Sequence, residues 1–408
     1  MEENDVSVTT GSMYTTLVNY KQYMNSSDSC SDPYHLTLKE AKTYGYSKIQ
    51  TYVASIILPG ILVFGVFGNA LFVYVAVRIP HMRTITNRYL VNLAIADIVF
   101  LMSAVGKQIW KYALSPIKDD ETALGRFGCL WTYFLSDVAY FASLIFVTLV
   151  SADRFVAVCR PQDRHSFIKG KSMESIGLCW LVAVVLAAIL TPGNVDQIVY
   201  CIAWPKVEPY KHWPDIIRFC SPLKHFTWIL SFSNGLQTIP FFITFVINVI
   251  LYVCIIKGLD QCIHRMSLHG VSKSKDTGMR NQIGKMLVVN GVVFFTLLVP
   301  FELFSFFGMI ATYRITGDEP AYIITNEDIR RYILLLCQLL SYINSAVNPI
   351  IYTVMCRRYR QAFREACLPT ACLDRTFRKR PGCGSCGGAA TKHIPLKSFS
   401  QAVKDTNV

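Results

Sequence analysis

Seven stretches of this 408-residue chain each run for 18 to 31 residues with at most one Asp, Glu, Lys or Arg. They cover 53–77, 89–106, 127–152, 175–195, 226–256, 286–313 and 332–356, and the only charges inside them are Asp97, Asp137 and Glu302. About 20 mostly apolar residues suffice to carry a helix across about 30 Å of hydrocarbon. Barrel strands would instead alternate apolar and polar residues over about 10 positions. These runs are apolar all round, as suits helices buried in lipid and in one another. The fold class they predict is an all-α membrane protein with seven spans. Charged residues make up only 16% of the chain, against about 25% in soluble domains, which argues against a soluble globular or disordered chain.

Seven spans put the two ends of the chain on opposite sides. Residues before the first span, with the second, fourth and sixth connections, hold 15 Lys/Arg and 16 Asp/Glu. The other connections and the tail hold 25 and 8. Lys and Arg stay cytoplasmic, so the N-terminus is expected outside and the tail inside, in the plasma membrane. The formal charge of +13 is then a matter of topology and inner-leaflet attraction, and nucleic-acid binding need not be invoked. Met1–Glu2–Glu3–Asn4 shows no basic patch followed by an apolar stretch, so the first span is expected to act as its own insertion signal.

The expected organisation is an outer segment 1–48, a seven-helix domain 49–356, an interfacial helix 357–366 and a disordered tail 367–408. The helix follows from Tyr359, Ala362, Phe363 and Ala366 sharing one face among arginines. In the outer segment, Asn25–Ser26–Ser27 is a glycosylation sequon. Cys30, Cys129, Cys201 and Cys220 also fall outside, where disulfides persist; four cysteines allow three pairings, and Cys30 and Cys220 could instead stay free. Residues 199–204, apolar and β-prone, are expected to form a hairpin over the outer mouth. Cys367 and Cys372, just past the last span, are candidates for S-acylation. Thr406–Asn407–Val408 fits the C-terminal ligand of a PDZ protein. Pro59, Pro240, Pro300 and Pro349 predict kinks.

Polar groups within spans are costly and become functional candidates. Asn69, Asp97, Ser143, Asn344, Ser345 and Asn348 fall near mid-span, where they could hold a small cation through hard oxygen ligands or form a polar packing network. Asp137 and Glu302 lie nearer the outer ends of their spans. Either they form an internal salt bridge with Lys107, or they make an anionic pocket for a cationic ligand.

The ordered motifs resemble those of rhodopsin-like, class A G-protein-coupled receptors. They include Gly68–Asn69, Asn92–Leu93–Ala94–Ile95–Ala96–Asp97, Asp153–Arg154–Phe155, Trp180, Pro240, Pro300 and Asn348–Pro349–Ile350–Ile351–Tyr352. The resemblance covers residues 49–366 and implies a cell-surface receptor signalling through heterotrimeric G proteins, with arrestin as a further partner, and no enzymatic activity. It implies that Arg154 engages Asp153 at rest and that Phe294, Pro300, Asn348, Pro349 and Tyr352 repack on activation. No cofactor is implied beyond an allosteric sodium ion on Asp97, Ser143, Asn344, Ser345 and Asn348. It also implies a Cys129–Cys201 disulfide, to which Cys30–Cys220 would add a second. Two departures stand out: Leu297–Leu298 replaces the family's Cys-Trp, and Asn248 stands where a tyrosine is usual. The outer loop is similar to that of peptide receptors, loosely the neuromedin-U, ghrelin and thyrotropin-releasing-hormone receptor group. The expected ligand is therefore a cationic or amidated peptide contacting Lys107, Gln108, Asp137, Tyr140, Glu302, Gln338 and Tyr342, with a lean to phospholipase C. The alternative is a lipid, another small molecule, or constitutive activity without a ligand. A membrane enzyme, transporter or channel would need motifs, repeats or pore rings that are not visible here.

Overall fold

The computed structural model describes residues 33–160, 172–193, 196–221, 227–268, 275–314 and 327–367. Within them, seven helices are long and apolar enough to cross a membrane. They are span 1 (Lys48–Arg78), span 2 (Ile85–Leu114), span 3 (Thr122–Cys159), span 4 (Met173–Leu190), span 5 (Gly235–Gln261), span 6 (Gln282–Gly308) and span 7 (Ile329–Met355). Span 3 is the axis of the bundle and packs on spans 2, 4, 5 and 6. Accordingly 56% of its most apolar stretch is buried against protein, against 22% for spans 1 and 5. Phe64, Val63, Ile250 and Ile350 point outward, as lipid-facing side chains should.

Proline and small residues shape the spans locally. Pro59 has no N–H to donate to the preceding turn, and span 1 widens into a π-turn over Val53–Ile57 just before it. Pro240, Pro300 and Pro349 all lie inside helices. Gly65 lies where span 1 packs tightly on spans 2 and 7. A Cβ there would stand 2.5 Å from Leu101 Cδ1 and 3.0 Å from Ala346 Cβ, so any larger residue would push spans 1, 2 and 7 apart.

One end of the bundle carries a small β-sheet. Strand β2 (Asp196–Ala203) pairs antiparallel with β3 (Ile216–Ser221), and β1 (Tyr34–His35) joins β2 in parallel. The expected hairpin is therefore present, its first strand starting three residues before residue 199, and it recruits the segment before span 1. That segment continues into a helix, Leu38–Tyr44, whose Thr37 and Glu40 close a reciprocal cap, and Ser47 with Gln50 caps span 1 in the same way. Leu36, Ala41, Tyr44, Ile117, Ile202, Trp204, Ile217 and Phe219 form a second hydrophobic core beneath this cap.

The register of β2 and β3 overturns the expected disulfides. Cys129 at the start of span 3 bonds to Cys220, with Cα atoms 5.7 Å apart. Neither Cys129–Cys201 nor Cys30–Cys220 therefore forms. Cys220 pairs with Gln197 near the strand ends that approach span 3, whereas Cys201 faces Ile216 at the other end of the ladder, beside β1. Cys201 is itself disulfide-bonded; Cys30 lies outside the described residues, as do Asn25, Cys372 and the last three residues.

At the opposite end of the bundle, Arg357–Cys367 forms the expected helix after span 7. Tyr359 and Ala362 are buried, with Phe363 and Ala366 packed beside them. Tyr359 donates to Asn87 Oδ1 at 2.6 Å, and Arg360 caps the last carbonyls of span 7, that of Thr353 at 3.0 Å and that of Val354. Cys367 is an exposed free thiol.

Candidate functional site

Several of the polar residues expected near mid-span meet across helices. Asn69 Nδ2 donates to Gly65 O at 2.9 Å and to Ser345 O at 2.8 Å, which ties span 1 to span 7. Asn348 Nδ2 donates to Asp97 Oδ2 at 2.7 Å. Asp97, Ser143, Asn344, Ser345 and Asn348 are all buried. Among the described residues, Asp97 Oδ1 and Asn344 Oδ1 are left with no hydrogen-bond partner. Buried oxygens without donors cost about 1–3 kcal/mol each. A carboxylate with amide and hydroxyl oxygens is the kind of donor set that a hard cation takes. The residues present thus fit a sodium ion.

At the Arg357 end of the bundle, Asp153 and Arg154 meet span 2. Asp153 Oδ2 lies 2.7 Å from Arg154 Nη2 and accepts the Thr86 hydroxyl at 2.6 Å. Arg154 also reaches Thr86 Oγ1. Thr86 was not anticipated from the sequence, because its role depends on span 2 lying against span 3. A cavity of about 240 Å³ opens here, lined by Thr84, Thr86, Asn87, Arg154, Ile283, Arg358 and Tyr359. Tyr352 is buried between Phe72 and Tyr359, with ring centroids 5.1 and 5.8 Å away. Phe294 is buried in span 6 against Phe295, which in turn meets Phe241 and Phe245 of span 5.

At the sheet end, the seven residues expected to ring one ligand fall into three groups. Gln108, Gln338 and Tyr342 line a cavity of about 150 Å³ between spans 1, 2 and 7, together with Tyr46, Gln50, Lys111, Lys118, Asp119 and Arg331. Tyr140 and Glu302 form a separate bridge from span 3 to span 6, with the phenol donating to Glu302 Oε1 at 2.6 Å and Glu302 fully buried. Lys107 forms neither of the salt bridges it could have made with Asp137 or Glu302. Its ammonium sits 3.5 Å from the ring centroid of Tyr133, held by the negative face of the aromatic system. Among the described residues, no cation lies within ion-pair distance of Asp137 or Glu302. Asp137 remains partly exposed.

An ion pair that was not foreseen seals this end. Lys111 Nζ and Glu121 Oε1 are 3.3 Å apart, with both side chains 8% exposed. Glu121 Oε2 accepts the Cys220 N–H at 2.8 Å. Burial alone would raise the Glu121 carboxyl, but Lys111, Lys107 and the Cys220 N–H together hold it below its ordinary range. Glu121 thus joins the span 2–3 connection to β3 beside the disulfide.

Comparison with known proteins agrees with this geometry. The model of the 7-transmembrane receptor (rhodopsin family) matches residues 68–352. The thyrotropin-releasing hormone receptor of Mus musculus is 24% identical over 353 residues, covering 78% of this chain and 79% of its own length. Neuromedin-U receptor 1 of Rattus norvegicus is 28% identical over 335 residues, covering 77% of this chain and 73% of its own.

Proposed function

Because the chain belongs to the rhodopsin family of seven-transmembrane receptors, we propose that it is a plasma-membrane receptor for an extracellular peptide, coupled to a heterotrimeric G protein. The sheet end faces outward and the Arg357 end faces the cytoplasm, in keeping with the excess of Lys and Arg in the connections on that side. The single observation that carries the ligand class is the mixed lining at the sheet end. A cavity of amides, phenols and charges contains Gln108, Gln338 and Tyr342, and Asp137, two turns along span 3 from Cys129, lacks an ion-pair partner among the described residues. Amide lining suits an amidated peptide terminus, and a carboxylate suits a guanidinium. The two relatives carry the names of a thyrotropin-releasing hormone receptor and a neuromedin-U receptor, the group whose outer loop this chain resembles.

Mechanistically, the ligand must bind the active arrangement more tightly than the resting one, or it shifts nothing. The bridge from Tyr140 to Glu302 links spans 3 and 6 directly below the outer mouth, so a ligand that repacks it changes how those spans sit. The bundle then opens at Arg154, where Asp153 and Thr86 hold the guanidinium at rest. The exposed guanidinium and the third cytoplasmic connection receive the G protein, with phospholipase C as the favoured pathway. A sodium ion on Asp97 would favour the resting state by neutralising a buried carboxylate. Arrestin, and a PDZ protein at the C-terminus, are further proposed partners.

A panel of amidated, arginine-containing peptides applied to transfected cells, read by calcium release, tests this reading. A peptide that evokes a saturable response lost or right-shifted about tenfold in Asp137→Asn supports it. A response to lipids alone, or agonist curves unchanged in Asp137→Asn, overturns it.

A further inference from the structure

Span 5 meets spans 3 and 6 through a side chain that the family pattern does not mark. Asn248, at the position where a tyrosine is usual, is committed to its surroundings: its Nδ2 donates to Thr148 Oγ1 of span 3 and to Thr244 O, both at 2.8 Å. One turn further toward the Arg154 end stands Tyr252, which is buried. Ser151 Oγ donates to its hydroxyl at 3.1 Å, and Ser151 lies one helical turn from Arg154.

The same phenol reaches span 6. A Cβ built on Gly291 would stand 1.6 Å from Tyr252 Oη and 2.3 Å from its Cζ. The missing side chain of Gly291 is therefore the space the phenol occupies. Farther along span 5, a Cβ on Gly258 would lie 2.8 Å from Cys159 Sγ of span 3, so this part of span 5 is seated deeply against its neighbours. The notch faces the phenol only while span 6 lies against span 5. Moving span 6 away would leave an unfilled gap beside Gly291 and strip the ring of contacts on one side, which close-packed interiors resist.

We propose that Tyr252 and Gly291 form a key and notch that hold the Arg154 end of the bundle closed. Tyr252 is a positioning residue: it touches no ligand and sets how often span 6 leaves its resting place. Only the signalling readout of this idea rests on the G-protein coupling proposed above.

The test uses the full-length receptor in lipid nanodiscs, with an environment-sensitive fluorophore carried by a noncanonical amino acid at Lys285, an exposed position on span 6. This reports span 6 without ligand or G protein. Gly291→Ala should raise the displaced population about fivefold, the change that one net hydrogen bond or its packing equivalent supports. In a Tyr252→Leu background the same alanine should add nothing, since its clash partner is gone. Ser151→Ala and Tyr252→Phe, both gentle to folding, should each shift the label in the same direction by a smaller factor. An alanine effect of equal size with and without Tyr252 overturns the proposal, and so does an unmoved label in Ser151→Ala and Tyr252→Phe together. Basal nucleotide exchange by a panel of G proteins is measured in parallel. A label shift with no change in exchange would reject the coupling while leaving the notch standing.

Discussion

Single residues decide what each charge in this bundle is for. Glu121 and Lys111 are both nearly inaccessible, and removing one partner leaves the other charge buried without compensation. We expect Glu121→Ala to cost about 3–5 kcal/mol of stability, and Glu121→Ala with Lys111→Met to cost much less, because a buried pair is worth little more than its apolar replacement. The sign of the pH effect follows from the lowered carboxyl. Its folded value lies below the ordinary 4.5, so its contribution is complete above that pH and is lost as pH falls through the folded value. Thermal unfolding of purified receptor against pH should show this acid-side loss in the wild type and not in Glu121→Gln. Tyr140 and Glu302 answer to a different measurement. Since the phenol donates to a fully buried carboxylate, Tyr140→Phe and Glu302→Gln should each destabilise by about 1–3 kcal/mol and their effects should not add. Additive losses in a double-mutant cycle would break the bridge reading. None of this was visible in the residue types: Asp137, Glu302 and Lys107 read either as an internal salt bridge or as an anionic pocket, and only packing sends Lys107 to the Tyr133 face.

Elements show where local rules suffice and where they stop. The helix after span 7 was legible because its apolar positions recur at helical spacing among arginines. The two caps at Thr37–Glu40 and Ser47–Gln50 were legible in principle, since each is a hydroxyl residue followed three positions later by Glu or Gln. They mark a folded segment before span 1 that hydropathy alone does not reveal. The hairpin was anticipated from its β-prone run, yet its disulfide was misassigned, because strand register is a property of two strands together. Under non-reducing conditions, the peptide containing Cys129 should be recovered joined to that containing Cys220. Cys129→Ser, Cys220→Ser and the double variant should lose surface expression to the same extent. Recovery of a Cys129–Cys201 peptide would refute the register described here.

The whole bundle has a buried polar centre that links spans 1, 2 and 7. Asn69, Asp97 and Asn348 bond across these helices, while Asp97 Oδ1 and Asn344 Oδ1 lack donors among the described residues. The sodium ion proposed there would stabilise the resting packing, so agonist affinity should fall as sodium replaces choline at constant ionic strength. Asp97→Asn should abolish that dependence; a sodium effect that persists in this variant would place the ion elsewhere. The number of spans and their order were determined by the sequence itself, because lipid imposes one demand on every residue of a span regardless of its neighbours. Which cysteine meets Cys129, where Lys107 rests, and how Tyr252 fits the space at Gly291 were decided only by the tertiary structure. Each of these depends on distances between helices that are far apart in the chain, and no local pattern of residue types carries that information.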